Sequence, residues 1–148
     1  MGRIRVSTFI DASPDQVWEE VRHVGRHVDW MADAVAIRFT SPHHAGIGTT
    51  FDCDTKVGPI RLTDKMEITE WRDGKVMGVR HVGLVTGTGR FTITKAGRDR
   101  TRFTWEERLH FPWWMGGPIG GIVGGRIMAR IWERNLRVLK QRIERNPS

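Results

Sequence analysis

Thr101-Arg102-Phe103-Thr104-Trp105-Glu106-Glu107-Arg108-Leu109-His110-Phe111 alternates without a break, and the chain then changes period. Thr101, Phe103, Trp105, Glu107, Leu109 and Phe111 fall on one side of an extended segment, and the intervening polar residues fall on the other. Beyond Ile119 the apolar residues Ile122, Val123, Ile127, Met128, Ile131, Trp132, Leu136, Leu139 and Ile143 recur at three- and four-residue steps. That spacing predicts one amphipathic helix of about 25 residues, ~40 Å long at 1.5 Å per residue. A half-buried strand running into a long C-terminal helix is the frame for everything upstream.

Working back toward the N-terminus, Ile4, Val6, Thr8 and Ile10 alternate with Arg3, Arg5, Ser7 and Phe9 and predict a first strand. Ser13-Pro14 then reads as a helix start, with Ser13 as N-cap, Pro14 at the first helical position and Gln16 three residues after the cap. Val17, Trp18 and Val21 follow at helical spacing, predicting a short helix over 14–24, and a second helical piece holds Val28, Trp30 and Met31. Five more strands are expected before the one quoted above. Their inward faces are Val35, Ile37 and Phe39; Phe51, Cys53 and Thr55; Leu62, Met66 and Ile68; Met77, Val79 and His81; and Phe91 with Ile93. Gly58-Pro59 and Arg72-Asp73-Gly74 mark turns between them.

The order is strand, two short helices, six strands, long helix. The expected fold class is therefore α+β: a curved antiparallel sheet of six to seven strands wrapped on a long C-terminal helix, in one domain over residues 1–148. One helix need not fill the concave face of such a sheet, and the leftover volume is the physical basis of a pocket.

Composition narrows the classes of function. Seven Trp and six Phe against no Tyr supply large apolar surfaces, suited to tight packing or to a bulky apolar guest. The single Cys53 can form no internal disulfide and points to a reducing compartment. No signal-type apolar block opens the chain, and the near-apolar stretch 111–125 is too short for a bilayer that needs about 20 residues. The expected location is cytoplasmic. A net charge of +7 is compatible with anionic partners, but the basic residues are scattered and no nucleic-acid motif accompanies them. No specific nucleic-acid binding is expected. His43-His44 lacks a third ligand at metal spacing, and Thr86-Gly87-Thr88-Gly89 precedes a strand instead of opening a helix. Neither a metal nor a cofactor is expected.

Ile10-Asp11-Ala12-Ser13-Pro14 leading to Val17-Trp18, the segment 24–31, Ile68-Thr69-Glu70-Trp71-Arg72-Asp73-Gly74, the segment 89–94 and Thr101-Arg102-Phe103-Thr104-Trp105 occur in an order that resembles the START-like (SRPBCC) superfamily. The similarity lies with its polyketide cyclase/dehydrase and lipid-transport branch and covers nearly the whole chain. The resemblance implies a helix-grip fold with a deep apolar cavity. It implies no particular reaction, because this superfamily includes carriers, receptors and cyclases.

The residues expected to line the space are Phe51, Cys53, Met66, Met77, Val79, His81, Phe91, Ile93, Trp105, Met128 and Trp132. Asp64, between Leu62 and Met66, and Glu107, between Trp105 and Leu109, fall on inward faces. A buried carboxylate is costly unless paired, so Asp64, Glu107 and the inward-facing His81 are the candidate polar contacts and the candidate catalytic groups. Trp113, Trp114, Gly117 and Gly121 form a candidate gate, since repeated glycines weaken the start of a helix by about 0.5–1 kcal/mol each.

The leading expectation is binding or carrying of a hydrophobic small molecule: a lipid, an isoprenoid or a polyketide-like compound. The alternative is a cyclase- or dehydratase-type enzyme using the buried carboxylates, and the sequence leans toward binding. A second alternative is an interaction module touching a membrane surface transiently through the basic helix and Trp113–Trp114.

Overall fold

The computed structural model describes residues 2–111 and 117–145, with side chains over 3–111 and 125–145. Strand β1 (Gly2–Ile10) leads into helix α1 (Pro14–Val21) and a 3-10 turn (Val24–Asp29). Strands β2 (Ala34–Phe39), β3 (Thr50–Val57), β4 (Ile60–Arg72), β5 (Val76–Val82), β6 (Thr86–Gly97) and β7 (Arg100–His110) follow, and helix α2 (Gly117–Arg145) closes the order.

The seven strands form one antiparallel sheet in the order β1-β7-β6-β5-β4-β3-β2. The chain leaves one edge at β1 and crosses through α1 and the 3-10 turn to the opposite edge at β2. It then returns by hairpins until β7 pairs with β1. Register irregularities between Ala34 and Ala36, Ile68 and Glu70, and Lys95 and Gly97 help the sheet to curl. This is the curved sheet on a long C-terminal helix that the alternating and helical periods predict, and the helix-grip fold that the resemblance implies.

Local sequence accounts for the elements. Ser13 Oγ accepts from Gln16 N at 3.3 Å, and Gln16 Oε1 accepts from Ser13 N at 2.9 Å, which completes a capping box around Pro14. The first helix stops at Val21, earlier than the spacing suggests. The chain tightens into a 3-10 turn whose three-residue spacing buries Val24, His27 and Trp30 together. In β2 the irregularity at 34–36 turns Val35 out, 59% exposed, and leaves Ala34 buried in its place.

Thr101, Phe103, Trp105, Glu107 and Leu109 of β7 are all buried, as are Trp132, Leu136, Leu139 and Ile143 of α2. Each fully buried large apolar side chain contributes about 1.5–3 kcal/mol, so this shared seam fixes the helix on the sheet. One polar latch adds direction. Asn135, almost fully buried, donates Nδ2–H to Asp33 Oδ1 at 2.8 Å and accepts the Ala32 N–H at 3.0 Å. Trp132 donates Nε1–H to Asp33 Oδ2 at 3.1 Å. No helix among the described residues is long and apolar enough to cross a membrane.

Candidate functional site

Between the concave face and α2 lies a pocket of about 100 Å³. Its wall is mostly aromatic, aliphatic and thioether, with four methionines (Met31, Met66, Met77 and Met128) among the lining side chains. Phe51 and Cys53 of β3, Met77 and Val79 of β5, Phe91 of β6, Trp105 of β7 and Trp132 of α2 also stand on that wall. Ile93 does not: it is buried in the core further along β6. Trp113 and Trp114 lie outside the described residues, and Gly117 and Gly121 fall in the first turns of α2, where only the backbone is described.

Alternation turns Asp64, His81 and Glu107 inward, and the register of β4 to β7 brings them into one hydrogen-bonded cluster. Asp64 sits two residues from Met66, the β4 partner of His81, so its carboxylate reaches His81 diagonally. His81 Nδ1 lies 3.0 and 2.9 Å from the two Asp64 oxygens. His81 Nε2 lies 2.5 Å from Glu107 Oε1, and Trp105 donates Nε1–H to Glu107 Oε2 at 2.7 Å. His81 is 5% exposed and Glu107 7%.

His81 and Glu107 are not on neighbouring strands, because β6 runs between them. Glycines close the gap. Gly87 is the β6 partner of His81, and Gly89 is the partner of both Val79 and Glu107. A Cβ on Gly89 would stand 2.9 Å from Glu107 Cγ and Oε1, so only glycine lets that carboxylate lie across the strand. Gly87 takes φ +131, and a Cβ there would collide with the Arg108 carbonyl.

Electrostatics follow from this arrangement. Burial alone would drive the His81 pKa down, but hydrogen bonds to Asp64 and Glu107, with their charges, outweigh it and hold the imidazole up at about 10. At neutral pH His81 is an imidazolium clamped between two carboxylates. Burial, opposed by a bond from Thr55, pushes the Cys53 thiol up to about 12, with Asp64 and Asp33 adding to the rise. That thiol is a core group, not a nucleophile.

Three polar wall residues escaped the sequence reading: His27, Asp33 and Arg90, whose guanidinium is turned onto Glu70. His27 is 6% exposed, and Asp33 holds the latch to α2. The pKa of His27 is lowered to about 4 by burial, partly opposed by its bond to the Val21 carbonyl at 2.7 Å. The signal for His27 was the spacing Val24, His27, Trp30, which is a 3-10 period and not an α-helical one. No group of three or more His, Cys, Asp or Glu among the described residues is placed to hold a metal ion.

A curled antiparallel sheet gripping one terminal helix, with a pocket between them, defines a START-like domain. The family model described as polyketide cyclase/dehydrase and lipid transport matches residues 1–145, and the chain belongs to that family. No curated relative matches it by sequence. Among solved structures, the chain is similar to a START superfamily protein from Mycobacterium smegmatis, with TM-score 0.78, 11% identity and 97% of each chain covered. It is also similar to a Streptomyces aromatase/cyclase, with TM-score 0.78, 15% identity and coverage of 97% of this chain and 94% of that one. Norcoclaurine synthase from Thalictrum flavum, solved with dopamine and hydroxybenzaldehyde, matches with TM-score 0.73, 16% identity and coverage of 99% and 88%. At these identities the likeness is one of fold.

Proposed function

We propose that this protein binds a small, largely apolar molecule between the sheet and α2, with the Asp64–His81–Glu107 cluster meeting its polar end. The observation that carries the reading is the makeup of the wall: aromatic, aliphatic and methionine side chains around a few buried polar groups, which is the usual composition of a small-molecule site. Membership of a family described by polyketide cyclisation and lipid transport supports an apolar guest.

Size refines the proposal. A pocket of about 100 Å³ is smaller than the ~150 Å³ that admits benzene in an engineered cavity. An isoprenoid or polyketide-like guest therefore needs the wall to repack, and methionine is the side chain best suited to that, being unbranched and polarizable.

A second reading is favoured by one feature, the proton held on His81 between two carboxylates at the pocket wall. Through it the open lone pairs of Glu107 and Asp64 would exchange a proton with a bound carbonyl compound, the acid–base step of the cyclase or dehydratase kind. Native mass spectrometry of protein purified from its own host tests the binding proposal. The expected result is a non-covalent organic adduct that is absent from Met77→Trp, a variant that fills the pocket. An adduct retained equally by the filled variant, or none on the unmodified chain, overturns it. Chemical conversion of the released compound by unmodified protein, lost in Glu107→Gln with binding kept, selects the enzymatic reading.

A further inference from the structure

The hydrogen-bonding capacity of the pocket is lopsided. Among the described lining side chains, the buried N–H donors are already engaged. Both His81 nitrogens are taken by Asp64 and Glu107, Trp105 by Glu107, Trp132 by Asp33, and His27 Nε2 by the Val21 carbonyl. Arg90 directs its guanidinium onto Glu70, with about half of its side chain in solvent. The Thr55 hydroxyl faces the Cys53 carbonyl at 3.4 Å.

Acceptors are in the opposite condition. Each oxygen of Asp33 and of Glu107 receives one N–H, and the two oxygens of Asp64 share the single Nδ1–H of His81, while a carboxylate oxygen has room for two. These three carboxylates face the His81 imidazolium, the Arg90 guanidinium on the same wall being turned onto Glu70. A second, independent feature points the same way. His27 lines the pocket at 6% exposure and donates through Nε2, so its neutral ring offers Nδ1 as a lone pair, for which the described residues supply no partner. Among the described residues the buried polar atoms with no partner are Trp30 Nε1 and Thr49 Oγ1, neither of them on the pocket wall; the wall instead offers open acceptor lone pairs, which a guest that brings donors fills.

We infer that the molecule held in this pocket carries a cationic hydrogen-bond donor, an ammonium on an apolar body, seated against the Asp33, Asp64 and Glu107 acceptors, with His27 offering a further acceptor on another wall. A guest whose polar end is only an acceptor, such as a ketone or a carboxylate, meets engaged donors and unanswered negative charge. This inference rests on the binding proposal above and adds the chemical class of its ligand.

The test is a set of near-isosteric one-ring probes, toluene, benzylamine, benzaldehyde and benzoate, titrated at pH 7 by protein-observed NMR on the full chain. Benzylamine is expected to bind at least tenfold more tightly than toluene and benzaldehyde, equivalent to about 1.4 kcal/mol, with benzoate weakest. The benzylamine preference over toluene is expected to fall severalfold in Asp64→Asn and in His27→Phe. Benzaldehyde or benzoate binding as well as benzylamine overturns the inference while leaving the pocket proposal standing, and so does a preference unchanged in both variants. Failure of all four probes, toluene included, overturns the pocket proposal together with it.

Discussion

His81 and His27 are buried to nearly the same depth, 5% and 6% exposed, on different walls of one pocket, yet one ring is charged and the other neutral. His81 stands between Asp64 and Glu107 and is held protonated, at about 10. His27 has Trp30 and Phe91 rings at 5.2 and 5.6 Å and one backbone carbonyl, and it is held neutral, at about 4. Depth sets the size of the desolvation cost, and partners decide which protonation state bears it. One wall thus carries a charged cluster whose donors are all engaged, and the other a neutral ring with one nitrogen engaged.

The comparison breaks most visibly at His81. Replacing it with leucine leaves two carboxylates facing each other in a buried site with their shared cation gone. His81→Leu is expected to lose about 3–5 kcal/mol in urea unfolding, the usual cost of orphaning a buried charge. His27→Leu removes one hydrogen bond, leaving the carbonyl at the end of α1 unanswered, and is expected to lose only about 1–3 kcal/mol. Removing the whole cluster, as Asp64→Leu with His81→Leu and Glu107→Leu, is expected to restore much of the loss, because no unpaired charge remains. Equal losses for the two single variants would show that the carboxylates do not distinguish the walls.

Acidity sharpens the contrast, because the two rings tie stability to pH in opposite windows. The folded pKa of His81 is raised from the ordinary 6.5, so its contribution is complete below 6.5 and is lost as pH rises through about 10. The folded pKa of His27 is depressed, so its contribution is complete above 6.5 and is lost as pH falls through about 4. Each ring alone tilts the stability curve by about 1.4 kcal/mol per pH unit inside its window, giving a maximum near 6.5. Urea midpoints from pH 4 to 10 read the sum, and side-chain NMR of the two rings reads each one. Loss of the alkaline slope in His81→Leu, with the acid slope kept, is the expected outcome. The alkaline slope surviving intact would refute the assignment to His81.

These differences explain what a sequence can and cannot disclose. Strict alternation over 101–111 and the three-four spacing beyond Ile119 stated the sheet and the helix directly, since side-chain direction follows from strand and helix geometry. The same alternation turned Asp64, His81 and Glu107 inward one by one. That they meet depends on register across three hairpins and on β6 being bare where it passes between His81 and Glu107, which no local period encodes. His27 and Asp33 were harder still. A six-residue 3-10 turn is too short for a period to stand out, and the role of Asp33 arises from residues about a hundred positions away. Val35 went astray for a related reason: one irregular pairing at the start of β2 turns that residue out, while Ile37 beyond it keeps its inward face.

The finest test alters neither wall chemically. Gly89→Ala adds one methyl group to β6, 2.9 Å from Glu107 Cγ and Oε1 and 3.0 Å from Cδ. Glu107 cannot yield freely, because one oxygen is bound to His81 and the other to Trp105. The expected cost is about 1–3 kcal/mol, as for overpacking elsewhere in a core. It comes with a fall of the His81 pKa toward its ordinary value and no change at His27. Gly78→Ala is the control. Its methyl would stand 2.9 Å from Glu70 Cβ on the opposite face of the sheet, away from the cluster, so it crowds the strand without touching His81. If both variants leave the His81 titration where it was, the bare lane through β6 is not what joins Glu107 to the imidazolium, and the charged wall owes its state to Asp64 alone.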